Sequence, residues 1–109
     1  MATTYKTLGQ AAPAATTSTD LYTVPALTST IVSTIVISNR AATPATFRLS
    51  QSLVGAALAN KDYLAYDTAI PGNGFITLTL GITMATTDKL RVYASTADLS
   101  FNAFGTELS

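Results

Sequence analysis

The sequence predicts an all-β domain, an antiparallel two-sheet β-sandwich of about eight strands in a Greek-key or jelly-roll-like order. Three observations predict it. Thr, Val, Ile, Tyr and Phe fill short segments, as β-branched and aromatic side chains do on a pleated surface. Those segments are separated by Pro, Gly, Asn and Asp at strand-length intervals, the punctuation of turns. Within most of them apolar and polar residues alternate, the period that sends one face to a core and the other outward.

The first strand is read over Thr4 to Gln10. The Ala-rich connector Ala11 to Ala15 follows, in which Pro13 argues against a helix. The Ala/Thr bias of residues 1–16 suggests an extended N-terminal arm whose order depends on a neighbour. The second strand, Thr17 to Val24, stops at Pro25. The third, Thr30 to Asn39, is the most apolar and is expected at the centre of a sheet. Ile31, Ile35 and Ile37 are read on one side and Val32 and Val36 on the other, as in a strand covered twice, once by the core and once by a neighbouring subunit. Ala45 to Gln51 alternates, with Phe47 and Leu49 inward and Thr46, Arg48 and Ser50 outward.

Residues 53–60 have no clear period of two and no helix-length pattern, so residues 53–61 are read as a surface excursion and a candidate contact loop. Tyr63 to Ile70 follows, with Leu64, Tyr66 and Ile70 on one face. Pro71-Gly72-Asn73-Gly74 supplies the positive φ of a tight turn and predicts a hairpin. Phe75 to Leu80 directs Ile76, Leu78 and Leu80 inward and ends at Gly81. After a turn at Thr86-Thr87-Asp88, Leu90, Val92 and Ala94 face the core. The last strand, Leu99 to Glu107, places Leu99, Phe101 and Ala103 inside and Phe104 outside, with Gly105 marking a bulge or an end. No linker divides the chain, so residues 1–109 are expected to form a single domain.

Composition removes several function classes. The 109 residues include six basic and six acidic side chains and no cysteine, histidine or tryptophan. A disulfide framework, a thiolate metal site and a cysteine nucleophile are therefore impossible, and the commonest general base and transition-metal ligand are missing. Charged residues make up 11% of the chain, against about 25% in an average domain, which argues against nucleic acid as a partner. The start has no basic segment followed by an apolar run, and no stretch approaches the roughly 18 to 20 apolar residues of a membrane span. The expectation is a leaderless soluble protein made in a cytoplasm, with no membrane partner. A 48% hydrophobic chain of zero net charge is most stable in solution with part of its surface covered, so a homo-oligomer is expected.

Constellations that carry chemistry are sparse. Asp67-Thr68-Ala69 resembles the Asp-Thr-Gly of dimeric retroviral aspartic proteases, in which two subunits each supply a carboxylate and share a proton. The third position here is Ala69, the C-terminal glycine-arginine signature of that family is absent, and the motif lies mid-chain; the alternative is an outward aspartate beside a turn. Asp20, Asp62, Asp67, Asp88, Asp98 and Glu107 are scattered singly, without the close alternation of a calcium loop. A serine nucleophile would need Lys6, Lys61 or Lys89 as its base, and none has the spacing of such a site. Gly72 and Gly74 precede no helix and make no phosphate cradle. The chain is accordingly not expected to be an enzyme, with no catalytic residue, cofactor or metal. Tyr5, Tyr22, Tyr63, Tyr66 and Tyr93 form a possible stacking platform for sugars or single-stranded nucleic acid. The basic residues near them, Arg48, Lys61, Lys89 and Arg91, are few and matched by acids. Tyr93, between Arg91 and Ser95, is also a candidate anchor at a protein interface.

Lys6 to Gln10, Thr17 to Pro25 with its ending Leu21-Tyr22-Thr23-Val24-Pro25, Ile35 to Arg40, Thr46-Phe47-Arg48, and Leu58 to Lys61 before Tyr63 together resemble small virion structural proteins of tailed bacteriophages. Tyr93 to Thr96 and Leu99 to Gly105 extend the likeness over essentially the whole chain. The resemblance implies a β-rich capsid decoration, or cement, protein on the outer surface of the assembled head, often a trimer, whose partner is the major capsid protein or another virion structural protein. Similar domains occur in necks, tails, baseplates and fibre roots, and a glycan-binding β-sandwich module is the alternative from a different class. Local pattern places the candidate interface on Tyr5, Leu8 and Gln10 of the N-terminal segment, on Leu53, Val54, Leu58 and Lys61 of the loop, and on Tyr93.

Overall fold

The computed structural model describes residues 2–109. Their strands are β1 (Thr3–Ala11), β2 (Thr19–Thr23), β3 (Ser29–Asn39), β4 (Ala45–Ser52), β5 (Tyr63–Ile70), β6 (Phe75–Leu78), β7 (Ile82–Met84), β8 (Lys89–Ala94) and β9 (Leu99–Leu108). Two short 3-10 turns, Leu53–Gly55 and Asn60–Asp62, lie between β4 and β5. All pairings are antiparallel. The first sheet has the order β1-β9-β3-β6, with β7 also pairing β3; the second has the order β2-β8-β4-β5. Between β4 and β5 the chain stays within the second sheet and between β6 and β7 within the first; every other connection passes from one sheet to the other. Two interleaved Greek keys of this order make a jelly roll.

The core is the layer between the sheets. Ile35, Ile37, Leu99, Phe101 and Ala103 of the first sheet meet Phe47, Leu49, Leu90, Val92 and Ala94 of the second, all of them buried. Phe47 and Phe101 face each other from opposite sheets, edge to face, with ring centroids 6.2 Å apart, a geometry that suits the ring quadrupoles. One end of this layer is polar. The Tyr22 hydroxyl is hydrogen-bonded to Thr30 Oγ1 at 2.8 Å and donates to Glu107, whose other carboxylate oxygen is 3.3 Å from Lys6 Nζ. Gly105 is required where β9 pairs with Val32 beside the irregularity in β3, because a Cβ there would lie 2.1 Å from the Ile31 carbonyl oxygen.

Several expectations are corrected. The described residues form nine strands where about eight are expected: Ile82–Met84 forms a strand of its own against β3, and Leu80, expected inward, is exposed. Residues 3–11 of the expected arm form an edge strand paired with β9 along its length. The turn after β5 is tight, with Asn73 at φ 55°, but it joins strands of different sheets and makes no hairpin. In β3 the pairing with β9 slips between Val32 and Thr34. That bulge reverses the alternation, so Val32 is buried with Ile35 and Ile37 while Ile31 is exposed. A second bulge near Asp67, at φ 47°, likewise leaves Leu64 and Tyr66 outside and Ile70 inside. Ser50 sits on the outward side as expected, paired with Arg91, yet is buried.

Candidate interaction surfaces

The contact loop is held by buried and part-buried polar side chains. Asp88, almost fully buried, accepts the Val54 N–H on one carboxylate oxygen and the Ala85 N–H on the other, both at 2.9 Å. Arg91 donates to the Ala56 carbonyl at 2.8 Å, to Ser52 Oγ at 3.0 Å and to Asp20 at 3.1 Å. Asp62 accepts the Ala59 N–H at 2.9 Å. With its backbone tied down, the loop turns apolar side chains to solvent: Leu53 and Leu58 are exposed and Val54 is 75% exposed. Val54 has φ 56°, a conformation costly for a β-branched residue. Lys61 is exposed and pairs with Asp62 at 3.1 Å. Beside it, Gln51, Leu53, Lys61, Asp62 and Leu64 line a shallow depression of about 230 Å³.

The outer face of the second sheet carries charge. Arg48, Asp67, Arg91, Lys89 and Asp20 all lie there, joined as Arg48–Asp67 at 2.7 Å and as Lys89 and Arg91 on Asp20 at 2.8 and 3.1 Å. The Arg48 guanidinium is sandwiched between the rings of Tyr66 and Tyr93, 4.1 and 4.4 Å from their centroids, which adds cation–π attraction to the ion pair. Tyr63 meets Tyr66 edge-on at 4.8 Å. Tyr93 is thus an outward residue, as expected, but part of its ring is occupied by Arg48. The sequence shows the tyrosines singly; only the neighbouring of β5, β4 and β8 brings two of them around one arginine, with Tyr63 against Tyr66.

The outer face of the first sheet is different. Strand register builds it from cross-strand rows: Thr3–Leu108–Ser29, Tyr5–Thr106–Ile31–Thr83, Thr7–Phe104–Thr34, Gln10–Asn102–Val36–Thr77 and Ser100–Ser38–Phe75. No residue in these rows is charged. Tyr5 is 82% exposed, and Ile31, Phe104 and Phe75 are exposed as well. Gln10 donates to Asn102 Oδ1 at 2.7 Å, and Gln10 and Asn102, with Ala11, Ala12, Ser100 and Phe101, line an open depression of about 360 Å³. Leu8 is the exception among the candidates on β1. It occupies the β1 bulge and is buried in the core, so it is corrected from interface to packing residue.

Among the described residues, no three of Asp, Glu, His or Cys converge on a point where a metal ion could sit, and no helix is long and apolar enough to cross a membrane. Asp67 is bound by Arg48, which holds its carboxyl below the usual carboxylate range, whereas a proton-sharing dyad raises one carboxyl. Compared with protein-family models, curated proteins and solved structures, the chain matches none.

These ion pairs set an expected pH response. The Asp20 carboxyl is lowered chiefly by its Lys89 hydrogen bond, Asp62 by the Ala59 N–H and Lys61, and Asp67 by Arg48. Depressed folded-state values contribute stability that is present above the unfolded aspartate value of about 4 and lost as pH falls through the lower folded values. Burial, followed by Glu107, pushes the Tyr22 phenol up to about 12. That contribution is present below the unfolded tyrosine value of about 10 and lost as pH rises toward the folded one. Thermal melts followed by circular dichroism should give a midpoint that is level between about pH 5 and 9 and falls on both sides. A midpoint unchanged at about pH 2 would remove the stabilising role of the aspartate pairs.

Proposed function

We propose that this chain is a structural protein of a tailed-bacteriophage virion, acting as a decoration protein on the outside of the assembled head. The observation that carries the reading is the pinned apolar loop. Exposed loops are ordinarily polar and mobile; here Asp88, Arg91 and Asp62 fix the backbone while Leu53, Val54 and Leu58 face solvent. Such preorganisation lowers the ordering cost of docking onto a lattice of coat subunits. A protein that binds only the assembled lattice stabilises it by mass action, and repetition of the contact adds avidity. The jelly roll supports the reading as an architecture used in capsids, although it also serves lectins.

The glycan-binding reading has its own support in the Tyr63–Tyr66–Arg48–Tyr93 cluster, where Tyr66 keeps more than half of its surface exposed. Immunogold microscopy of particles from a lysate containing the protein, with antibody raised against the recombinant chain, separates these possibilities. Dense label over the heads is expected. Label confined to neck, tail or baseplate would move the chain to another virion position, and no label on intact, accessible particles would favour the glycan-binding module.

A further inference from the structure

We propose that the uncharged outer face of the first sheet is a self-association surface, through which two copies of this chain pack sheet against sheet about a twofold axis. The chain has twelve charged residues. Five lie on the outer face of the second sheet and none in the rows of the first. A sheet face held in water normally carries charge, especially near an exposed edge. This face instead carries the exposed apolar side chains Tyr5, Ile31, Phe104 and Phe75 among uncharged hydroxyl-bearing ones, a composition rich in the aromatic residues that are enriched at interfaces and free of the charged ones that are depleted there.

The absence of charge also selects the partner. An acidic, basic or phosphorylated surface docked here would lose its hydration without gaining a counter-ion. A second copy brings the same neutral rows, so an isologous contact meets no like-charge pair and needs no unlike one. Sheets pack face to face at about 10 Å in this way, with strands about 30° apart. Two of the five rows extend across four strands and three across three, giving a face of roughly 16 by 34 Å from ordinary strand spacing and rise. That is about 550 Å² before side-chain relief, which raises it toward the roughly 800 Å² that each partner contributes to a standard interface. The pairing is twofold, in place of the trimer implied by the resemblance, and does not depend on the virion reading because it is a property of the free chain.

Sedimentation equilibrium of the full chain from about 1 µM to about 500 µM tests it. The expected result is twice the chain mass at the upper end, falling toward one chain on dilution. Ile31→Lys and, separately, Thr106→Lys put an ammonium in the row that also holds Tyr5 and should each weaken pairing more than tenfold while leaving the circular dichroism spectrum unchanged. Thr106→Lys carries the test if Ile31→Lys fails to fold. Tyr66→Lys, on the opposite face, should leave pairing intact. A one-chain mass at every concentration, a three-chain mass, a dimer that Thr106→Lys does not weaken, or one that Tyr66→Lys dissolves would each overturn the proposal.

Discussion

Phe101→Ala is expected to lower the unfolding free energy by about 3 to 5 kcal/mol. Phe101 is fully buried on β9, and its ring meets Phe47 of the opposite sheet edge to face at 6.2 Å. The truncation therefore removes a contact between layers, where neither sheet can close the gap without disturbing its own ladders. β9 is also an inner strand, paired with β1 on one side and β3 on the other. A domain of this size has a total stability of about 5 to 15 kcal/mol, so the loss is a large share of the whole and should lower the melting midpoint by well over ten degrees, at about 4 to 8 °C per kcal/mol. Urea titration should show a lower midpoint with an unchanged slope. Phe101→Leu, which keeps most of the volume, should recover much of the loss. An alanine variant within about 1 kcal/mol of the parent would mean that the two sheets are held by something other than this contact.

The sequence carried the fold class because alternation is a local signal. The alternation directs Phe47 and Leu49, then Leu90, Val92 and Ala94, then Leu99, Phe101 and Ala103 inward, and all of them are buried. It failed where one inserted residue changes the phase. Nothing in Thr30 to Asn39 marks the slip between Val32 and Thr34, because Ser33 and Thr34 suit either face of a strand; the slip is imposed by β9, whose Gly105 lies against Ile31. The bulge at Asp67 reversed the reading of Leu64 and Tyr66 for the same reason. Turn chemistry at Pro71 to Gly74 specified a tight reversal, but whether the chain returns to its own sheet or crosses to the other depends on packing of the whole. The loop was legible as an exposed apolar segment. Its fixation by Asp88 and Arg91 was not, since those side chains come from β8 and the turn before it, more than thirty residues away. The neutral face was likewise invisible, because it exists only once β1, β9 and β3 lie side by side.

Asp88→Ala joins stability to function and is expected to cost about 2 to 4 kcal/mol, because two part-buried backbone N–H groups, of Val54 and Ala85, lose their only acceptor at once. The Ala85 bond shapes the turn into β8, and the Val54 bond holds a β-branched residue at φ 56°. Without Asp88 the strained Val54 loses its own anchor and only the Arg91 bond to the Ala56 carbonyl and the Ala56 N–H bond to Leu53 still hold the turn, so residues 53–55 should relax toward extended conformations and lose much of their fixed presentation of Leu53 and Val54. Hydrogen exchange should report the loss first at the Val54 amide, before global unfolding. Asp88→Asn retains one carbonyl acceptor and should fall between the alanine variant and the parent. The comparison also bears on docking. If particle binding depends on a preformed loop, Asp88→Ala should weaken it at temperatures where the sandwich is still folded, and Leu58→Ser, which removes an exposed apolar group and leaves the bonds to Asp88 and Arg91, should weaken it without the exchange signature. If Asp88→Ala binds particles as the parent does while its Val54 amide exchanges freely, the loop is not the docking element and the contact must lie elsewhere on the surface.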